Sequence, residues 1–286
     1  AWDTLREGAV GGGKGLGSVR SVKASVIVAS SAARPITEIS TDSVASRSTG
    51  VAEFDRVLGG GLVPGAVVLM SGEPGVGKST LLLEVAAKTA QGGARVLYVS
   101  GEESVGQIRL RAERTGALSE NLFLASETDL GSVLGQIEAT KPELLVVDSV
   151  QTIAHAEIDG AAGMPSQIRE VATNLIRVAK EQNLPIILVG HVTKDGNIAG
   201  PRALEHLVDV VCHFEGDRQT SLRFVRSMKN RFGPTDEVGC FEMTGEGINE
   251  VPDPSGMFLS RGDAPVSGTC VTVTVEGKRP LIAEVQ

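Results

Sequence analysis

Apolar residues along this chain fall into two periods. Short, nearly continuous apolar runs recur at residues 67–70, 95–100, 144–148, 186–190 and 208–214, and runs of this length predict strands buried on both faces. Between them the apolar positions step by three and four. The stretch from Leu81-Leu82-Leu83 to Ala90 predicts one helix. Ile168, Val171, Ala172, Leu175, Ile176 and Ala179 predict another over residues 165–183, with Pro165 at its start and Pro185 beyond its end. Strands alternating with helices predict an α/β fold, a mostly parallel central sheet with helices on both faces, whose ligands bind outside the carboxyl ends of the strands.

The first strand runs directly into Gly72-Glu73-Pro74-Gly75-Val76-Gly77-Lys78-Ser79-Thr80, and the first helix leaves it. This is the phosphate-binding pattern G-x-x-x-x-G-K-[ST] in the strand–loop–helix context that it requires. Glycines let successive backbone N–H groups turn inward around phosphates, Lys78 neutralises the terminal phosphates, and the Ser79 hydroxyl suits a Mg²⁺ shell. The segment predicts binding of a nucleoside triphosphate. The run 144–148 ends in Asp148, whose carboxylate would hold Mg²⁺ or its waters opposite Ser79; the plainer alternative is a turn cap. The run 95–100 opens onto Glu102 and Glu103, one of which would orient and deprotonate the attacking water, while the other could serve only the first turn of a helix.

Composition narrows the setting. The chain has 286 residues, 41% of them hydrophobic and 22% charged, enough to bury one main domain. No apolar run approaches the roughly 18 residues of a membrane span, so a cytoplasmic protein is expected, without membrane contact. Cys212, Cys240 and Cys270 are far apart and form no C-x-x-C pair, so neither a zinc site nor a disulfide framework is expected. The histidines show no metal-ligand spacing either. A net charge of −8 hides one basic stretch, with Arg218, Arg223, Arg226, Lys229 and Arg231 and no acidic residue between 218 and 231. In isolation such a run reads as a solvated strand face. Residues 1–45 are glycine-, serine- and alanine-rich and read as a flexible tether.

Residues 48–65, running into the phosphate loop, resemble the segment that precedes the first core strand of RecA-fold ATPases. More narrowly, residues 49–258 resemble the bacterial RadA (Sms) family of DNA-repair ATPases, through Lys229-Asn230-Arg231-Phe232-Gly233 and Tyr98-Val99-Ser100-Gly101-Glu102-Glu103-Ser104. The resemblance implies a RecA-like ATPase core over residues 46–258, using ATP and Mg²⁺. It implies a homo-hexameric ring that moves on single-stranded DNA as a helicase or branch-migration motor in homologous recombination and repair, acting on branched recombination intermediates beside a recombinase partner. Lys229 and Arg231 are carried over as residues acting on the adjacent subunit's ATP, and His191, ending the strand 186–190, as a sensor of the terminal phosphate, the plainer alternative being a strand-end histidine bonded to backbone. The DNA-facing loops of such rings fall here at residues 154–165 and 193–202. The second supplies Lys194 and Arg202, and its glycines allow backbone N–H groups to approach phosphates; the alternative is that both are ordinary solvated loop charges.

This chain departs from the family pattern at both ends. The four-cysteine zinc module is not expected here, hence no zinc, and residues 259–286 resemble only the opening of a Lon-protease-like domain. Two rival functions share the core: a KaiC-like regulatory ATPase, disfavoured by the single phosphate loop, and a non-hydrolysing nucleotide switch, disfavoured by Glu102.

Overall fold

Residues 35–38, 45–191, 201–216, 221–254, 270–276 and 278–285 are described by the computed structural model. The chain divides into two units, Ala1–Ser40 and Thr41–Gln286. In the first, a 3₁₀ turn at Ile36–Glu38 is described; the rest of the predicted tether lies largely outside the described residues. In the second the elements run α1 (Ala52–Leu58), β1 (Val67–Gly72), α2 (Lys78–Gln91), β2 (Val96–Ser100), α3 (Val105–Thr115), β3 (Leu122–Ser126), α4 (Leu130–Thr140) and β4 (Leu144–Asp148). There follow α5 (Pro165–Gln182), β5 (Ile186–His191), α6 (Pro201–Glu205), β6 (Val210–Gly216), β7 (Leu222–Asn230), β8 (Val238–Thr244), β9 (Gly247–Glu250), β10 (Cys270–Glu276) and β11 (Arg279–Val285).

The predicted runs became the parallel heart of the sheet. Among the described residues, nine strands pair in the order β3-β2-β4-β5-β1-β6-β7-β8-β9. They are parallel from β3 to β6 and antiparallel from β6 to β9. Strands β1, β2 and β4 are buried at every position, as strands covered on both faces must be. One face packs Val68, Met70, Tyr98, Val146 and Val189 against the apolar sides of α1, α2 and α3. The other packs Leu69, Leu97, Val147 and Leu188 against α4 and α5. Register then aligns the carboxyl ends: Ser100 pairs with Asp148, and Gly72 with His191. The sheet edge thereby gathers the phosphate loop, Asp148, His191 and the turn bearing Glu102.

The segment before β1 is fastened rather than loose. Asp55 accepts hydrogen bonds from Ser48 Oγ (2.6 Å), Thr49 N (3.0 Å) and Thr49 Oγ1 (2.8 Å). Buried Glu53 accepts one from Cys240 N at 2.9 Å, and its own N–H donates to Glu250 Oε1 at 2.7 Å. These bonds clip α1 onto β8 and β9. Of the loops expected to face DNA, residues 154–164 are drawn in by buried Gln167, which accepts from His155 N (2.7 Å) and donates to Ile158 O (2.6 Å) and Gly160 O (3.1 Å). Residues 192–200 lie outside the described residues, and α6 takes up the end of the second expected loop. At the carboxyl end β10 and β11 form an antiparallel hairpin, with Lys278 ion-paired to Asp236 at 3.0 Å.

Candidate active site

The helix α2 begins at Lys78 because Gly77 adopts φ 112° at its N-cap, a left-handed conformation that glycine takes at little cost. A Cβ there would also press on Met243 Sδ at 3.0 Å, so β8 and Phe214 of β6 buttress the loop from behind. Glu73, Pro74 and Gly75 stand exposed at its crest. Lys78 is buried, and its ammonium donates to the carbonyls of Gly72 and Glu73, both at 2.9 Å. Burial lowers its pKa to about 8, with the Asp148 and Glu102 carboxylates opposing that shift. An ammonium made costly by burial gains most from an anion with several charges.

Asp148 is 3% exposed. Its Oδ2 accepts a 2.6 Å hydrogen bond from Tyr98, a fully buried residue of β2. Burial first, and Asp148 second, hold the phenol proton well above its ordinary range. Oδ1 is buried with no hydrogen-bond partner among the described residues. A buried carboxylate oxygen without a donor fits a cation or its waters. No group of three His, Cys, Asp or Glu side chains placed to hold a metal ion occurs among the described residues; Ser79, in the first turn of α2, and Asp148, at the end of β4, carry oxygen donors of the kind Mg²⁺ takes.

The two glutamates that the sequence leaves equivalent are separated by the turn after β2. Glu102 Oε1 accepts from Ser149 Oγ at 2.7 Å and lies 3.0 Å from His191 Nε2. Its side chain remains 45% exposed. Glu103 turns toward α3, where Arg111 Nη1 donates to its Oε1 at 2.8 Å and Nη2 stands 2.7 Å from Oε2. Gln151 Nε2 donates to His191 O at 3.3 Å. His191 Nδ1 and Gln151 Oε1 are buried without hydrogen-bond partners among the described residues. Lys78, Asp148, Glu102 and His191 are thus brought together, and Glu103 is not. Tyr98, Ser149 and Gln151 are the additions that sequence reasoning missed. The signal for Tyr98 was its place two residues before Ser100, diagonal to Asp148 across the parallel pair.

Lys229 and Arg231 lie at the other edge. Lys229 Nζ donates to Glu205 O and Val208 O, both at 2.8 Å. Arg231 Nη1 bonds Asp209 Oδ1 at 3.3 Å, and Asp209 Oδ2 accepts from Val67 N at 3.0 Å and Lys180 Nζ at 2.7 Å. Val67 starts β1 and the phosphate loop follows its end, a separation of roughly 17 Å at about 3.3 Å per residue. Phe232, beside them, is 42% exposed. Two more members of the basic run find partners, Arg226 with Glu215 and over the Phe224 ring and Arg223 with Val76 O at 3.1 Å, while Arg218 falls outside the described residues. Lys194 falls outside the described residues. Arg202 has its backbone in α6.

A phosphate loop, a strand-end aspartate and a glutamate on a parallel sheet of this order define a P-loop ATPase domain, and the chain belongs to the AAA domain family, whose sequence profile matches residues 33–197. Among curated proteins it is similar to the DNA repair protein RadA of Mycolicibacterium smegmatis, 56% identical over 291 residues that cover 100% of this chain and 62% of that protein. RadA of Mycobacterium tuberculosis H37Rv is 54% identical over 287 residues, covering 100% of this chain and 59% of that one. RadA of Bacillus subtilis is 48% identical over 252 residues, covering 88% and 55%. The chain spans about three fifths of the length of these relatives. Among solved structures, one described as an ATPase domain aligns with a TM-score of 0.61 at 16% identity, over 72% of this chain and 90% of that one. The fold is that of RecA-like ATPases. No helix among the described residues is long and apolar enough to cross a membrane.

Proposed function

We propose that this chain hydrolyses ATP and serves as the motor core of a homo-hexameric ring that moves on single-stranded DNA, working in the cytoplasm on branched intermediates of recombination and repair beside a recombinase. The observation that carries the hydrolytic part is the meeting of Lys78, Asp148 and Glu102 at the carboxyl ends of β1, β4 and β2. The DNA part rests on similarity to the RadA repair proteins. On this reading residues 46–258 are the ATPase, residues 1–45 the segment that leads into it, and residues 259–286 the opening of a Lon-like domain.

The loop 72–80 wraps the phosphates with its N–H groups, and Lys78 exchanges its carbonyl partners for phosphate oxygens. Ser79 and Asp148 would hold Mg²⁺, which when bound neutralises charge on the phosphates. Glu102 is the general base: both of its hydrogen bonds fall on Oε1, so Oε2 accepts the proton of the attacking water. Glu103 keeps the turn on α3 through Arg111. His191 holds the base and leads into residues 193–202, where Lys194 and Arg202 meet DNA phosphates. Its unsatisfied Nδ1 supports a sensor that completes its bonding only in the assembled state. Lys229 and Arg231 act on the neighbour's ATP, where inserted cations contribute about 10³–10⁵ in rate.

ATP turnover with and without mixed-sequence single-stranded DNA tests this. Stimulation of several-fold, lost as salt is raised, is expected. Turnover indifferent to DNA at low salt overturns the motor, and nucleotide binding without turnover overturns the hydrolase.

A further inference from the structure

The catalytic side chains all approach the phosphate loop from one side of β1. In the sheet, β5 with His191, β4 with Asp148 and β2 beneath Glu102 lie to that side, and β6 and β7 lie to the other. On the hydrolytic reading above, the terminal phosphate faces Glu102. The nucleoside, at the far end of the triphosphate, is then carried toward β6 and β7.

A cavity of about 340 Å³ opens there, lined by Glu73, Pro74, Gly75, Val76, Gly216 and Arg223, within the range of small-molecule sites, about 300–1,000 Å³. Arg223 reaches it from β7 across the end of β6. Its Nε donates to Val76 O at 3.1 Å and its Nη1 to Leu222 O at 2.7 Å. Those bonds lie in the guanidinium plane and so fix the plane's orientation. Gly216 makes the crossing possible, because a Cβ there would collide with Arg223 Cδ and crowd Nε and Nη1. A fixed guanidinium plane stacks on an aromatic ring system, which a lysine ammonium cannot do. Among the described residues of this lining, Glu73 is the other side chain with hydrogen-bonding capacity.

We infer that Arg223, with Gly216 and Pro74, forms the nucleoside subsite: the guanidinium stacks on the base, and its bond to Val76 ties base binding to the phosphate loop. The inference rests on the assignment of the loop 72–80 as the ATP site. Stacking favours purines over pyrimidines through their larger ring area.

Calorimetric titration of the whole chain with ATP, CTP and inorganic triphosphate separates the two assignments, since triphosphate has the phosphates and lacks the nucleoside. Arg223→Ala should weaken ATP about tenfold, within the range measured for base stacking, erase the preference for ATP over CTP, and leave triphosphate within twofold. Arg223→Lys should not restore ATP binding. Gly216→Ala, which displaces Arg223 without removing it, should reproduce the selective loss. Equal losses for ATP and triphosphate would mean that Arg223 acts only through the loop, and no loss for either would place the nucleoside elsewhere; both outcomes overturn the subsite. If the parent bound neither ligand, the ATP site itself would be wrong, a result that needs no variant to see.

Discussion

Tyr98 donates a 2.6 Å hydrogen bond to Asp148 Oδ2 inside the layer between the sheet and α2. The phenol occupies one carboxylate oxygen and leaves Oδ1 without a donor. A strand-core aromatic therefore decides which oxygen of Asp148 is left to accept a further partner.

Tyr98→Phe preserves the ring and its packing while removing that bond. Hydrogen bonds to charged groups contribute roughly 1.5–3 kcal/mol, so a modest loss of thermal stability is expected. The specific effect is on the metal. The Mg²⁺ concentration that half-saturates Mg²⁺-dependent ATP binding should rise several-fold, with binding in excess chelator unchanged. Equal behaviour in both media would reduce Tyr98 to a packing residue.

Single-turnover hydrolysis distinguishes the two glutamates. Glu102→Gln should lose about 10²–10⁴ in rate, the usual worth of a general base, with ATP affinity retained. Glu103→Gln should stay within a few-fold of the parent, because its carboxylate is already engaged by Arg111.

Lys78 gives a pH dependence whose sign follows from burial. With a pKa near 8 in the nucleotide-free protein, the ammonium is intact at pH 7 and largely lost by pH 9. Phosphates raise the pKa again, so binding takes up a proton above pH 8, and ATP affinity falls by up to about tenfold per pH unit there. Folding responds oppositely: the unfolded lysine keeps its proton to about 10.4, so this group adds stability as pH rises from 8. Calorimetry in buffers of different ionisation heat measures the proton uptake, and Lys78→Arg should abolish it, since arginine does not deprotonate in this range.

Mixed assemblies test where Arg231 works. Arg231→Ala subunits should bind ATP through their own loop yet fail to promote hydrolysis next door, and Lys78→Ala subunits should fail in their own loop. Mixing the two should restore part of the activity at interfaces that pair a sound loop with a sound Arg231. Co-assembled mixtures without recovery, together with lost nucleotide binding in Arg231→Ala alone, would return the arginine to its own subunit.

Five of the six parallel strands and the phosphate loop were legible, because buried strands write themselves as unbroken apolar runs and backbone cradles for phosphate demand glycine at fixed spacing; β3, an edge strand with one buried residue, was not predicted. Strands β7 to β9 were not, since β7 alternates apolar residues with Arg223, Arg226 and Lys229 and resembles a solvated face. Charge there is paired rather than free, mostly with groups distant in sequence. The role of Tyr98 was hidden for a related reason: an aromatic residue in an apolar run looks like core, and its hydroxyl gains meaning only from a partner 50 positions away. Glu102 and Glu103 could not be separated until the turn sent one to Ser149 and the other to Arg111. Asp209 and Gln167 organise loops through several bonds each, yet no local pattern marks them.

Strand β7 has one end at its own phosphate loop, through Arg223, and the other at the edge bearing Arg231. Eight residues of extended chain make a strut of roughly 27 Å at about 3.4 Å each, braced by β6 and β8 along its length. In a ring built as proposed, every such strut would join two nucleotides belonging to different subunits. A shift of one loop as its phosphate leaves would be felt at the next pocket as a displaced cation, so that hydrolysis events would follow one another around the circle like teeth on a gear.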